Sequence, residues 1–308
     1  MSRIYLELIF MVIIWSFSFI IADIAVEFIP PLSLALYRFI LASCTFLIID
    51  IYFKIKNKKD KSLKIEENNV SKFSKNDWIL IIISSFTGVS LFFFAQYSSI
   101  EIIGPSLPAL FVCLLTPVII TILALLFFNE KINKFKILGF LIATIGGFLL
   151  VTGGNITTLT PESPNFLGYL FALITPVLWA IYSIATKKIS QSHSSNFINK
   201  YVAYIGTIEL FIFALINNEL PVFFNNFFTI QLFICALYLG FLCYVLGYFI
   251  WQNSQKLLKS SNVASFLYIE PFLTLIFSFI FQRSETIIIW NILGGIIVLI
   301  AVLVINYK

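Results

Sequence analysis

Charge is the scarcest property of this chain. Asp, Glu, Lys and Arg make up 11% of its 308 residues, against about a quarter in a soluble domain, which excludes a water-soluble fold of this length. There is one histidine, His193, in the polar run Gln191-Ser192-His193-Ser194-Ser195. Without a second histidine it offers no metal site or proton relay, and an exposed loop position is expected for it. The four cysteines (Cys44, Cys113, Cys235, Cys243) fall inside apolar segments with no Cys-x-x-Cys spacing, so they read as small apolar residues, not zinc ligands or disulfide partners. No Gly-rich phosphate loop and no Gly-Lys-Ser/Thr motif occurs, so the chain is not an ATP-driven pump by itself. Long polar stretches are also missing, apart from 54–76, which reads as a mobile loop. The remaining connections leave no room for a soluble catalytic domain, and no cofactor or metal is expected.

What fills the chain is hydrocarbon: 60% of residues are apolar and mean hydropathy is +0.99. Ten apolar segments stand out, at about 4–22, 31–53, 77–99, 104–128, 136–152, 165–186, 199–217, 229–251, 260–281 and 286–306. Most approach the roughly 20 residues that span a bilayer. The first follows Arg3, lacks a small-x-small cleavage site and runs into Asp23 and Glu27, so it reads as a retained span and not a secretory signal. With the N-terminus inside, 18 of the 20 basic residues fall in cytoplasmic segments, leaving Arg283 outside and Arg38 within a span. The positive-inside rule therefore predicts cytoplasmic N- and C-termini. The net charge of +5 reads as a topology signal and not as a nucleic-acid footprint. The eight lysines between 54 and 75 serve either that signal or the headgroups of anionic lipids. The expected protein is all-α, multi-pass, and placed in the cell (inner or plasma) membrane.

The ten segments form two sets of five. Pro117, Glu130 and Gly139 answer Pro271, Glu285 and Gly294, with 13 or 14 residues from proline to glutamate and nine from glutamate to glycine. Trp15-Ser16-Phe17 answers Trp179-Ala180-Ile181. Gly88 with Phe92 through Tyr97 answers Gly240 with Gly247 through Asn253, and Ser106 through Ala109 answers Asn262 through Ser265. The halves are 1–152 and 165–308. Equivalent points lie an odd number of spans apart, so the second half is inverted, an arrangement that places a substrate site at the midplane between repeats.

With Trp15, Arg38 in Tyr-Arg-Phe, Pro117 with Asn129-Glu130, Glu270-Pro271, Glu285 and Gly294, nearly the whole chain resembles the drug/metabolite transporter superfamily, within it the EamA-type exporters and permeases. The resemblance implies two inverted five-helix repeats and alternating access through a cavity lined chiefly by spans 1, 3, 4, 6, 8 and 9, with spans 5 and 10 at the periphery. It also implies small amino acids or related metabolites as the commonest substrates. Two departures stand out. Gly146-Gly147 is answered by Ala301-Val302, which predicts looser contacts near the end of span 10. Arg38 has no basic counterpart in span 7, so the halves differ in role.

Arg38 costs roughly 2.5–3.5 kcal/mol at the centre of a span, so it faces a cavity or a partner. It reads as an anchor for a substrate carboxylate or phosphate, or as a brace snorkelling toward Asp23 or Glu27. Glu270 sits before Pro271, where the missing backbone hydrogen bond kinks or opens the helix. It reads as a proton carrier or amine contact, or as a protonated brace. Glu209 is a second candidate for proton coupling. Thr116, the counterpart of Glu270, cannot titrate. Trp15, Trp179, Tyr244, Tyr248 and Trp251 offer pocket walls with hydrogen-bonding tips, whereas Trp78 and Trp290 fit interfacial anchoring. Ser18, Phe92 and Gln96 complete the expected cavity, and Pro117 and Pro271 the expected helix breaks. The small-residue stripes, such as Ser106, Ala109, Cys113, Thr116 and Ala124, read more readily as helix contacts.

A secondary carrier exporting amino acids or related compounds is the reading these features favour. Uptake or exchange of a nucleotide-derived or phosphorylated metabolite is the alternative. An intramembrane enzyme would need clustered acids, histidine or a nucleophile–base pair, and no catalytic residues are assigned. The expected partners are the bilayer and a small-molecule substrate, with a homodimer left open.

Overall fold

In a computed structural model the described residues are 2–59, 73–129, 133–152, 166–283 and 289–306. Glu130, Glu285, most of the lysine-rich stretch and the segment joining the halves lie outside them. The described residues form helices and no strands, as hydrocarbon requires, since a helix satisfies its own backbone donors and acceptors. In chain order they are α1 (Ser2–Val26), α2 (Pro31–Lys59), α3 (Lys75–Ile103), α4 (Ser106–Phe128), α5 (Lys134–Thr152), α6 (Phe166–Ile189), α7 (Ser195–Ile216), the short α8 (Leu220–Asn226), α9 (Ile230–Leu257), α10 (Ser260–Ile280) and α11 (Ile289–Asn306). Eight of these, α1–α4, α6, α7, α9 and α10, are long and apolar enough to cross a membrane.

Local chemistry sets the helix ends. Ser74 and Asp77 make a reciprocal capping box at the start of α3, and Ser194 caps α7. α3 stops at Gly104 (φ 75°) and α4 at Asn129 (φ 52°), both in the left-handed region that ends helices. Glu219 accepts hydrogen bonds from Ser33 N (3.0 Å) and Oγ (2.9 Å), supplying an anion to the first turn of α2.

The bundle is apolar outside, and its largely apolar core also holds polar and charged side chains. Leu6, Leu126, Ile145, Phe228 and Leu303 are among the large apolar side chains exposed on its surface, while Ser16, Arg38, Thr116, Gln252 and Glu270 are buried. Helix neighbours come mainly from opposite halves. α1 packs on α9 and α10, α4 and α3 pack on α6, α2 on α7, α2 on α9, α3 on α7, and α5 on α11. Exchanging α1–α5 with α6, α7, α9, α10 and α11 maps this set onto itself. The α5–α11 contact stays tight to its end: Ala301 and Val302 are buried, and Gly139 faces Ala301 and Ile305. The looser contact expected there is not found, because glycine on the α5 side alone admits the close approach.

α3 and α9, equivalent in this exchange, both leave α-helical geometry, with π-helical segments at Phe86–Ser90 and Tyr238–Tyr248. α10 begins with a turn of α-helix and a 3-10 segment, Ser265–Ile269, and resumes as α-helix at Glu270-Pro271. Pro117, by contrast, lies within continuous helix.

His193 corrects its expectation. It is buried, with its ring against Phe73 and Phe197 and Nε2 3.4 Å from Asp77 Oδ2. Its partner is 116 residues away, beyond reach of local reading.

Candidate functional site

The helices border a half-open cleft of about 410 Å3, a figure that includes space open to solvent. The first half contributes Trp15, Ser18 and Phe19 from α1, Arg38 from α2, Phe92, Phe93 and Gln96 from α3, and Val112 from α4. The second contributes Trp179 from α6, Cys243 and Tyr248 from α9, and Leu267 and Glu270 from α10. Among the described residues α5, α7 and α11 contribute nothing to this wall.

Arg38 is 2% exposed. Its Nη1 donates to Tyr97 Oη (2.5 Å) and its Nη2 to Leu239 O (2.7 Å), while Nε has no partner. Its guanidinium carbon lies 4.0 Å from the Phe93 ring centroid, a cation–π arrangement. No carboxylate among the described residues forms an ion pair with it. The bracing partners expected from sequence, Asp23 and Glu27, both pair with Arg283 (2.5 Å each). Its charge is thus held by neutral groups among the described residues.

Glu270 is 3% exposed. Its Oε2 accepts from Cys113 Sγ at 3.1 Å, and its Oε1 has no hydrogen-bond partner among the described residues. The interrupted start of α10 puts this carboxyl on the cavity wall. Gln96 likewise presents an amide with no hydrogen-bond partner among the described residues.

The aromatic wall rests on backbone. Trp15 Nε1 donates to Cys243 O (3.0 Å), and its ring meets Trp179 edge-on with centroids 5.4 Å apart. Trp179 also meets Tyr248 (5.1 Å) and Phe92 (5.1 Å). Cys243 O and Leu239 O both belong to the π-helical segment of α9, which therefore holds Trp15 and Arg38 together. A Cβ on Gly247 would lie 2.4 Å from Trp15 Nε1, and one on Gly88 2.1 Å from the Tyr182 ring. Both positions require glycine for the close approach.

Of the expected cavity residues, Trp15, Ser18, Arg38, Phe92, Gln96, Trp179, Tyr248 and Glu270 meet on this wall. Tyr244 and Trp251 stand behind it: Tyr244 Oη donates to Asn199 O (2.9 Å), and Trp251 Nε1 to Ser183 Oγ (3.3 Å). Thr116 is fully buried near Cys113 with its hydroxyl unpartnered. Glu209 is outside the wall, accepting from Ser85 Oγ (2.8 Å) and Ser90 Oγ at the π segment of α3. Phe19, Phe93, Val112, Cys243 and Leu267 join the wall without having been singled out, and Tyr97 holds Arg38 from behind. Tyr97 follows Gln96 directly, which was the one available signal for it. Among the described residues no group of histidine, cysteine and acidic side chains could hold a metal ion.

A family model described as the EamA-like transporter family matches residues 2–152 and 166–307. An uncharacterized transporter of Archaeoglobus fulgidus is 26% identical over 302 residues, covering 98% of this chain and 96% of that protein. The uncharacterized transporter YyaM of Bacillus subtilis is 27% identical over 301 residues, covering 98% and 92%. A solved crystal structure shares the fold with a TM-score of 0.71 at 16% identity, over 99% of this chain and 97% of its own. The chain thus belongs to the EamA-like transporter family, and it is a multi-pass transporter of the cell membrane.

Proposed function

We propose that this transporter is a secondary carrier that exports amino acids or closely related zwitterions by alternating access through the cavity. One observation carries the reading: the wall offers one cation without an acidic partner, Arg38, and one acid with an open oxygen, Glu270. A zwitterion completes both. Its carboxylate meets the guanidinium, its ammonium meets Glu270 and the faces of Trp15 and Trp179, and its side chain lies against Phe92 and Tyr248. A phosphorylated metabolite fits less well, because its second negative charge meets no second cation and faces Glu270 instead.

The topology belongs to the same proposal. α5 and α11 complete ten spans in two inverted sets of five, 1–152 and 165–308, and the lysine-bearing ends face the cytoplasm with both termini. Proton uptake at Glu270 couples transport to the pH gradient.

The test is counterflow. Protein in liposomes preloaded with unlabelled amino acid should accumulate labelled amino acid transiently and saturably. Chemical turnover of solutes without movement would replace the carrier by an enzyme.

A further inference from the structure

Toward its lysine-rich end the cavity wall passes into a buried layer whose polar atoms lack partners among the described residues. Beyond Tyr248, α9 continues through Trp251, Gln252, Ser254 and Gln255 to Lys256, with Lys259 just before α10, while α6 continues beyond Trp179 through Tyr182 and Ser183. Trp251 lies 5.7 Å from Trp15 and 5.8 Å from Trp179, centroid to centroid, and backs both rings of the wall. Below it Gln252 Nε2 donates to Tyr182 Oη (2.8 Å) and Asn199 Oδ1 (2.5 Å). Gln252 Oε1 and Asn199 Nδ2 are left without partners. One turn further on, Ser254 Oγ and both amide atoms of Gln255 are also unpartnered, though Gln252, Gln255 and Asn199 are 0% exposed and Ser254 is 1% exposed. These four residues hold five of the nine buried, unpartnered side-chain atoms among the described residues.

Lysines fasten the same end. Lys136 Nζ of α5 donates to Ser261 Oγ (2.5 Å) and Asn262 Oδ1 (2.6 Å), and Lys187 Nζ of α6 to Ser260 Oγ (2.7 Å), at the start of α10.

Buried polar groups in folded proteins are overwhelmingly hydrogen-bonded, and a bilayer offers no water to stand in. A concentration of unsatisfied amides on one helix end is explained if that surface is wet in another conformation of the same molecule. We propose that Gln252, Ser254 and Gln255, with Asn199, line the lysine-side half of the substrate route, dry and closed here and hydrated when the cavity opens to that face. The inference rests on the alternating-access carrier proposed above and adds a second station to it. This station has hydrogen-bond donors and acceptors for a zwitterion and no charge to retain it. The lysine contacts at Ser260, Ser261 and Asn262 are the bonds that opening breaks.

Gln255→Cys tests this in vesicles whose lysine-side face is outward. A membrane-impermeant thiol reagent is applied during turnover, and modification is read at residue 255 by mass spectrometry, so the native cysteines need not be removed. The expected result is modification from the lysine side, faster when amino acid is present. No modification from either face, while exposed Lys256→Cys reacts, overturns the route. Modification from the opposite face alone supports the route and overturns the assigned orientation. Modification of residue 255 in a protein that shows no amino-acid counterflow also supports the route, and overturns the substrate reading instead. Gln255→Leu is the second arm. Removing two unpartnered atoms from the closed state should raise the melting temperature, while the loss of a polar wall lowers counterflow several-fold. Wild-type counterflow in that variant overturns the route.

Discussion

Arg38 owes its position to neutral groups alone: a tyrosine hydroxyl, a backbone carbonyl and a phenylalanine face. Arg38→Lys keeps the charge and loses the planar fork. A charge-assisted hydrogen bond contributes about 1.5–3 kcal/mol, so half-saturation for carboxylate substrates should rise roughly ten- to a hundredfold. Proteoliposome counterflow at matched protein abundance measures this, and wild-type half-saturation would return Arg38 to a bracing role. Glu270→Gln keeps an acceptor and removes the titration. It should abolish accumulation driven by a pH gradient while counterflow continues at a raised half-saturation, because the ammonium loses its charged partner; unaltered gradient dependence would exclude Glu270 as the proton carrier. Both residues were legible in the sequence because isolated charges in apolar runs are costly. Cys113 and Cys243 were not, since a thiol that bonds a carboxyl and one that fills space have the same sequence context.

At the scale of the helix, the π-helical segment of α9 decides where Trp15 and Arg38 sit, through the carbonyls of Cys243 and Leu239. Nothing in Tyr238–Tyr248 announces it, because a change from one backbone ladder to another leaves the apolar pattern intact. The missing donor of proline predicted breaks at both Pro117 and Pro271; only the second is found, since Pro117 lies in continuous helix. Gly247→Ala is the sharpest test of this element. Its Cβ would lie 2.4 Å from Trp15 Nε1, and overpacking of this kind costs about 1–3 kcal/mol. The expected outcome is a lower melting temperature with counterflow largely lost, read by thermal shift and transport on the same preparation. Full transport would show that Trp15 can move without consequence. Arg283 ties α1 to the end of α10 through Asp23 and Glu27. Arg283→Asp should reduce transport, and pairing it with Asp23→Arg should restore part of the loss, as a coupled pair requires.

At the scale of the molecule, each half finds its neighbours mainly in the other. Residues 1–152 or 165–308 expressed alone should therefore fail to accumulate, and co-expression of the two pieces should restore abundance on an immunoblot. Accumulation of either piece alone would contradict this interdependence. The duplication was legible from matched prolines, glycines and tryptophans; which helix touches which was not, because apolar spans carry little pairing information. The exchange of halves that maps these contacts onto themselves bears on how the cavity came to have its charges. Identical halves would supply every wall residue twice, repeating each charge across the exchange. Here Arg38 comes from one half and Glu270 from the other, with Thr116 in place of a second acid, so the wall carries each charge once. This asymmetry gives the cavity an electric direction, and under the proposed function a zwitterion is held one way round.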